Sequence, residues 1–431
     1  MKILIIGAGG REHALARIYR RCKKIKKVFV VPGNDLMTLD GIKIFPQIKA
    51  LNFNEIISLI KKYRIDFVDV AQEDPLAEGF VDKLKSLGIK TFGPTKKTSE
   101  IEWSKEWSRN FMKEYNLPIP FFKFFNNKKG GINFINSQPD KIFFIKASGL
   151  AAGKGAIRAK NKKEAIEAIN QMSQFGKAGE TFLIEECLTG EEFSLFAICD
   201  GENYKIIKTA QDHKTVFEKD LGQNTGGMGC VSPITVVNQR IIREIESKIL
   251  KPFMRGMKKE GRPYSGVLYL GGMISGIKVR IIEFNARWGD PEAEVILPGF
   301  KTDYLKIVEA VEKQKLKEIK IIFDKMIRIS ITGCSHGYPN DYSKVIGKEI
   351  FGLEKAMKLK GITIFGAGIK ILGKRFFVNG GRIFHLVTEG KNITEIRRKA
   401  YEAMSLIYIE DNNLHYRTDI GWREMERKIS K

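Results

Sequence analysis

Along the first hundred residues, short apolar runs alternate with stretches whose apolar positions recur every three or four residues. KILII near the start, VFVV (28 to 31), FVDV (67 to 70) and KTFG (90 to 93) have the length of strands, and the stretches between them predict helices from 11 onward, near 53 to 63 and over 79 to 87. Strand and helix taking turns in this way predict a parallel sheet covered by helices on both faces. An amphipathic helix over about 99 to 115 follows Gly93-Pro94, and Pro118-Ile119-Pro120 breaks the chain. From 121 to about 190 a small unit of strand, Gly-rich turn, strand, helix and strand reads as a lid, with FFIKA (143 to 147) and TFLIEE (181 to 186) its clearest strands. Beyond it, FSLFAIC, GVLYLGGMI and KVRIIEFNA surround a long helix near 239 to 259, which suits a mixed sheet. IRISITG, TIFGAGIKIL, RIFHLVTEG and a helix over 394 to 408 form a final strand-rich unit.

Length and composition fit that pattern. A chain of 431 residues exceeds one core and has room for roughly two to four domains. With 43% hydrophobic and 29% charged residues it is globular rather than disordered or fibrous. The opening apolar run is broken at Gly7 and no long uncharged apolar stretch follows, so the chain reads as soluble and unexported. Its cysteines, Cys22, Cys187, Cys199, Cys230 and Cys334, are far apart and form no CxxC pair, which disfavours a disulfide framework or a zinc site and fits the cytoplasm.

Charge adds a second possibility. Lys and Arg number 74 against 50 Asp and Glu, a net charge of +24 that attracts phosphates and nucleic acid nonspecifically. The segment RIYRRCKKIKK (17 to 27) is the densest basic stretch. It reads either as an RNA-binding patch or as a solvated helix face, and the second is simpler because no run of aromatics is present for base stacking.

Four segments carry candidate chemistry. ILIIGAGGREHALA sets Gly7, Gly9 and Gly10 where backbone amides at a helix N-terminus can face an anion, or where a strand merely turns tightly into a helix. Glu12 stands where the dinucleotide fingerprint needs its third Gly, which disfavours a nicotinamide or flavin cofactor. KASGLAAGKGA (146 to 156) has Lys146 at a strand end and Gly149, Gly153, Lys154 and Gly155 in the turn after it. Its spacing is not that of a Walker loop; it suits a hairpin closing over a triphosphate, or a plain glycine-softened turn.

TFLIEECLTGEEF puts Glu185 and Glu186 at a strand end, where a carboxylate can take ribose hydroxyls and the backbone beside Glu186 and Leu188 can read adenine. QDHKTVFEKDLGQNTGGMGCVSP (211 to 233) gathers Asp212, His213, Lys214, Asp220 and Asn224 beside another Gly-rich loop, although a lone His such as His213 is more often structural than catalytic. In VRIIEFNARWGDPEAE, Glu283 and Asn285 lie two apart on a strand and point to one face, where two oxygens can hold Mg²⁺ or Mn²⁺ and leave room for phosphate and water. Arg287, on the same alternation, can clamp a carboxylate bidentately.

Taken in order, GAGGREHALA, VPGN, GPT, KASGLAAGKG, IEE with GEE, QDHK, NTGGMG, EFNARWGDPE and RTDIGW resemble the ATP-grasp fold, and within it the phosphoribosylamine-glycine ligase family, from about 1 to 424. The resemblance implies an α/β and α+β multidomain chain: a Rossmann-like domain over 1–103, an ATP-grasp core over 104–325 with a mobile lid at 121–192, and a strand-rich domain over 326–431. It implies ATP-dependent ligation of glycine to 5-phosphoribosylamine through glycyl phosphate, in purine biosynthesis. Lys105 and Lys146 would meet ATP phosphates beneath the 149 to 155 loop, and Glu185, Glu186, Leu188 and Glu192 would hold adenine and ribose. Glu283 and Asn285 would be the metal ligands. Asp212 and Arg287 would fix glycine, and Gly9, Gly10 and Arg11 the phosphate of phosphoribosylamine, with Glu73, Asn224, Gly226 and Gly227 nearby.

Departures from the family pattern fall at Ala71, Gln72, Ser148, Gln223 and Thr418, beside assigned ligands. The expected partners are the two small substrates, with no specific nucleic acid, no membrane and a monomeric state. The competing readings are another ATP-grasp carboxylate-amine ligase, or an RNA-binding protein on a degraded enzyme scaffold.

Overall fold

The structure is a computed structural model, and it describes residues 1–149 and 155–429. Strands β1 (Lys2–Gly7), β2 (Lys27–Pro32), β3 (Lys43–Ile44), β4 (Phe67–Val70) and β5 (Thr91–Phe92) form a parallel sheet in the order β3-β2-β1-β4-β5. β1 is apolar at successive positions because both of its faces are covered: Ile3 and Ile5 enter one core, Leu4 and Ile6 the other. The helix Gly10–Arg20 leaves β1 and faces the centre of the molecule, burying Ala14, Leu15, Ile18 and Tyr19. The basic stretch that follows is partly spent on contacts within the chain: Arg17 donates to Asp40, and Arg21 donates to the carbonyls of Pro298 and Phe300 at 2.9 and 2.8 Å.

The expected single helix over 99 to 115 is two helices, Lys96–Trp103 and Lys105–Glu114, parted at Ser104. A four-stranded antiparallel unit comes next, built from β6 (Phe122–Phe125), β7 (Phe143–Ala147), β8 (Ala156–Ala159) and β9 (Phe182–Glu186) in the order β6-β9-β7-β8. It has its own core around Ile145, Ala165, Ile169 and Phe182.

The main sheet is antiparallel and large. It contains β10 (Glu191–Asp200), β11 (Tyr204–Asp212), β14 (Gly229–Ser232), β15 (Ser265–Ser275), β16 (Lys278–Asn285) and β17 (Ile327–Ser335), after the hairpin β12 (Thr215–Phe217) and β13 (Leu221–Asn224) has branched off. Pairing of β14 with β17 carries the sheet straight into the C-terminal strands β19 (Ile362–Gly366) and β22 (Arg382–Gly390). β18 (Glu349–Phe351), β20 (Ile369–Leu372), β21 (Arg375–Val378) and β23 (Tyr408–Ile409) make a separate sheet. TIFGAGIKIL, read as one strand, is therefore β19 and β20 in two sheets. The chain turns at Gly368, where a Cβ would lie 2.5 Å from the Gly380 Cα.

The helix expected near 239 to 259 is continuous but carries a π turn at Glu246–Leu250, just before Pro252. The wider turn accommodates a residue with no backbone N–H inside a long helix. Among the described residues no helix is long and apolar enough to cross a membrane.

Candidate active site

The carboxyl ends of the parallel strands, the 96 to 114 helices and the ends of β11 and β16 meet around a cleft of about 730 Å³. Gly9, Arg11 and Glu73 come from the first sheet, Lys105 from the helix that follows Ser104, Lys146 from β7, Asp212 from β11, Gly226 from the NTGGMG loop, and Glu283, Asn285 and Arg287 from β16 and its end. A pocket of about 200 Å³ opens from it, lined by Gly155, Glu185, Glu186, Leu188, Glu192 and Asn224 with apolar walls from Phe144, Met273 and Ile282. Lys105, Lys146, Lys214 and Glu283 line both spaces, so three ammonium groups and a carboxylate stand where the two join.

Glu185 is buried and shared. Arg109 Nε donates to its Oε1, and Lys146 Nζ is 2.5 Å from its Oε2. Burial works to raise the Glu185 pKa, and the two cations outweigh it and hold it at about 2. The same contest at Glu283 ends at about 2, with burial opposed by Lys214, Lys146 and Lys105. Glu283 nevertheless keeps 41% of its side chain open to solvent, so its oxygens are available to a ligand. Lys214 bridges Glu192 and Glu283, the latter at 3.7 Å. Lys105 has its pKa lowered by burial, against which Glu283 pulls upward, and its backbone N–H donates to the Ser148 carbonyl at 3.0 Å.

On the far wall Arg287 faces two acids, with Nε 3.2 Å from Glu73 and Nη2 2.8 Å from Glu102. Glu102 also accepts the Ala286 N–H at 2.7 Å, which fixes it beneath the guanidinium. Arg11 reaches the same Glu73 at 3.4 Å, and Arg11 and Arg287 both donate to the Trp288 carbonyl. Asp212 is different. Burial, then Glu292, push its pKa well up, and its Oδ1 is buried without a hydrogen-bond partner.

Gly10 and Gly227 do not face the cleft. A Cβ on Gly10 would lie 2.2 Å from Glu294 Oε1, and one on Gly227 2.5 Å from Pro291 and 2.7 Å from Asp212 Oδ1, so these glycines allow close packing behind the wall. Gly149 packs on Ala178 at the lid, while Gly153 and Lys154 lie outside the described residues. Two amides of the first loop are already engaged: Gly9 N–H donates to Glu12 at 2.6 Å and Arg11 N–H to Asp290 at 3.2 Å. His213 is buried and structural, with Nε2 accepting the Gly421 N–H at 3.2 Å.

Models of phosphoribosylglycinamide synthetase match three consecutive stretches: the N domain over residues 1–102, the ATP-grasp (A) domain over residues 103–293 and the C domain over residues 329–423. The chain belongs to the phosphoribosylglycinamide synthetase family. One relative, the phosphoribosylamine–glycine ligase of Streptococcus pneumoniae serotype 4, is 38% identical over 427 residues, which is 98% of this chain and 99% of that one. The crystal structure of the Thermotoga maritima phosphoribosylamine–glycine ligase superposes with a TM-score of 0.81 at 28% identity, over 98% of this chain and 100% of that one. The biotin carboxylase domain of a 2-oxoglutarate carboxylase from Hydrogenobacter thermophilus gives 0.70 at 14% identity over 96% and 91% of the two chains, a likeness of fold alone.

Against the family pattern, Gln72 lines the cleft itself, next to Glu73. Ser148 lies under Lys105, its Oγ accepting the Glu106 N–H at 3.2 Å. Thr418 is tied to Glu218 at the hairpin β12–β13, and Gln223 is exposed on that hairpin. The phosphoribosylglycinamide synthetase site also contains residues to which the sequence assigns no role: Glu102, Arg109, Lys214, Asp290, Tyr338 and Arg382. Lys214 and Asp290 had a signal, since they stand in the QDHK and EFNARWGDPE motifs.

Proposed function

We propose that this chain joins glycine to 5-phosphoribosylamine at the expense of ATP, giving glycinamide ribonucleotide, ADP and phosphate. One observation carries the reading beyond family membership: a narrow apolar-walled pocket and a wide charged cleft meet at Lys105, Lys146, Lys214 and Glu283. A nucleotide whose base lies between Phe144, Met273 and Leu188 has its phosphates at that junction, with the acceptor carboxylate beyond it.

Glycine suits the cleft at both of its charges. Asp212, buried with an unpartnered oxygen, gains a counter-ion from the ammonium, and Arg287 offers its guanidinium to the carboxylate. The carboxylate oxygen attacks the γ-phosphorus, the bond to ADP breaks, and Lys146 and Lys105 balance the charge that spreads over the phosphoryl oxygens. Glycyl phosphate then lies against the side of the cleft formed by Gly9, Arg11, Gly226 and Arg382. There the amine of phosphoribosylamine attacks its carbonyl carbon, a C–N bond forms, the C–O bond to phosphate breaks and a proton is released. Enclosure protects the acyl phosphate from water.

Glu283 and Asn285 fit a divalent cation, Mg²⁺ or Mn²⁺: both line the cleft, and Glu283 stays ionised because three lysines face it. An ion held there would supply positive charge to the ATP phosphates. The reading is of a monomer acting on small substrates in the cytoplasm.

The test is ADP release with ATP, Mg²⁺, glycine and freshly generated phosphoribosylamine, omitting each in turn and repeating with Glu283→Ala. ADP that appears only with the full set, and is lost in the variant, is the expected result. A folded protein that releases none under any combination would sink the assignment.

A further inference from the structure

Among the described residues, ten buried side-chain polar atoms have no hydrogen-bond partner, and four of them converge at one place behind the cleft wall: Asp290 Oδ1, both oxygens of Glu294, and His385 Nε2. Glu294 and His385 are fully buried, and the ligand atoms of the three residues lie within 4.8 Å of one another. Polar atoms without a hydrogen bond are costly to bury, and four in one cluster call for a common explanation.

The distances supply it. His385 Nε2 stands 3.2 Å from Asp290 Oδ1 and 3.7 Å from Glu294 Oε1, yet neither approach is aligned as a hydrogen bond. Donors about 2.1 Å from a common ion, in tetrahedral or adjacent octahedral positions, lie about 3.0–3.5 Å apart and point at the ion rather than at each other; the Asp290 approach falls in that range, and Glu294 has to move inward by a few tenths of an ångström. The imidazole is oriented for this: Nδ1 lies 3.0 Å from Thr332 Oγ1, and donation of its proton there leaves the Nε2 lone pair facing the carboxylates. Gly10 makes the space, since a Cβ there would meet Glu294 and His385. Arg382 approaches Asp290 Oδ1 at 3.0 Å, again without hydrogen-bond alignment, and together with Arg11 it serves Asp290, while both oxygens of Glu294 are left without a hydrogen bond.

We propose that Asp290, Glu294 and His385 form a second metal site, separate from Glu283 and Asn285, that takes a first-row divalent ion such as Zn²⁺, Mn²⁺ or Fe²⁺. An imidazole with two carboxylates selects such an ion over Mg²⁺. Its ligands come from the turn after β16, the short helix Glu292–Ile296 that follows it and strand β22, so its ion ties that turn and helix to β22 at the edge of the cleft, packed against Gly10 of the first helix. Asp290 also lines the cleft, which gives the ion a way in.

The experiment strips the full-length chain with EDTA and titrates Co²⁺ alone, without nucleotide, into the unaltered protein and into Glu283→Ala. A single tightly held equivalent with visible d–d absorption is expected in Glu283→Ala, and its loss in Glu294→Gln and His385→Gln. The stripped protein should also unfold several degrees higher once Zn²⁺ is restored. X-ray absorption of the Zn²⁺-loaded Glu283→Ala protein reads the site without altering the cluster, and one imidazole in a shell otherwise of oxygen is expected. No Co²⁺ uptake in Glu283→Ala, uptake unchanged by folded cluster variants, or a shell without imidazole would each overturn the proposal.

Discussion

Arg109 governs the nucleotide side of the site although nothing in its own segment announces it. It is buried; Nε donates to Glu185, Nη2 donates to the Ile282 carbonyl at 2.6 Å, and Nη1 reaches Met112 Sδ at 3.7 Å. Glu185 therefore divides its charge between Arg109 and Lys146, and Lys146 is left with capacity to meet a phosphate. In Arg109→Met the carboxylate would have Lys146 alone, and breaking a buried ion pair costs about 3–5 kcal/mol. We expect the urea midpoint to fall accordingly and KM for ATP to rise, as Lys146 is drawn toward Glu185. An unchanged midpoint with unchanged KM would show that Lys146 alone suffices. The sequence displays Lys146 and Glu185 because each ends a legible strand. Arg109, 76 positions before Glu185, sits in an amphipathic helix where an arginine reads as surface charge, and only tertiary packing turns it inward.

At the scale of elements, the break at Ser104 does what a continuous helix could not. Ser104 has φ −120° and ψ 99°, its Oγ accepts the Trp107 N–H at 3.2 Å, and Lys105 becomes the first residue of the next helix. Freed from a helix interior, Lys105 donates its N–H to the Ser148 carbonyl, and its Nζ lies 3.4 Å from the Gly149 carbonyl, which joins the helix to the base of the lid. Ser104→Ala removes the cap, worth about 1 kcal/mol. The expected outcome is that small loss in urea unfolding together with a higher KM for ATP and little change in KM for glycine; equal effects on both substrates would place Ser104 in general stability instead. The pattern of apolar positions runs unbroken through this point, and the residue three beyond Ser104 is Trp107 rather than Glu or Gln, so the serine stands without the capping-box partner that would mark it as a start. The long helix near 239 to 259 shows the converse: it runs on through Pro252, which a π turn absorbs. Periodicity thus reported which segments form helices and strands, and the motif spacing brought most of the candidate ligands to one cleft. Where a helix divides, where TIFGAGIKIL changes sheet, and which glycines serve packing behind the wall are set by contacts between distant segments.

Across the whole molecule, two buried histidines act as neutral ties between parts of the chain. His13, on the first helix, accepts the Gly366 N–H on Nδ1 at 2.9 Å and meets Asp40 through Nε2 at 2.7 Å, with Arg17 and His385 also near. His213 joins the end of β11 to Gly421 near the C-terminus, among Arg417, Asp220, Asp419 and Arg423. Burial lowers both pKa values, and Arg417 adds to the effect at His213, which is held down at about 4. As pH falls below about 6.5 the unfolded chain takes up these protons while the native chain does not, so native stability declines with falling pH until the native histidine itself titrates. For His213 the decline amounts to about 3 kcal/mol between pH 7 and pH 4. Asp212, with its raised pKa, titrates in the opposite sense: its native form binds a proton more readily than the unfolded chain does, which favours folding as pH falls. The net slope is therefore a sum, and a comparison isolates the histidine. His213→Gln keeps an acceptor for the Gly421 N–H and removes the titration. Its urea midpoint should be lower than that of the unaltered chain at pH 7 and should fall less steeply between pH 6.5 and pH 4.5, so that the two curves converge. Parallel curves would mean that the acid sensitivity of the fold lies elsewhere, with His13 the next group to substitute.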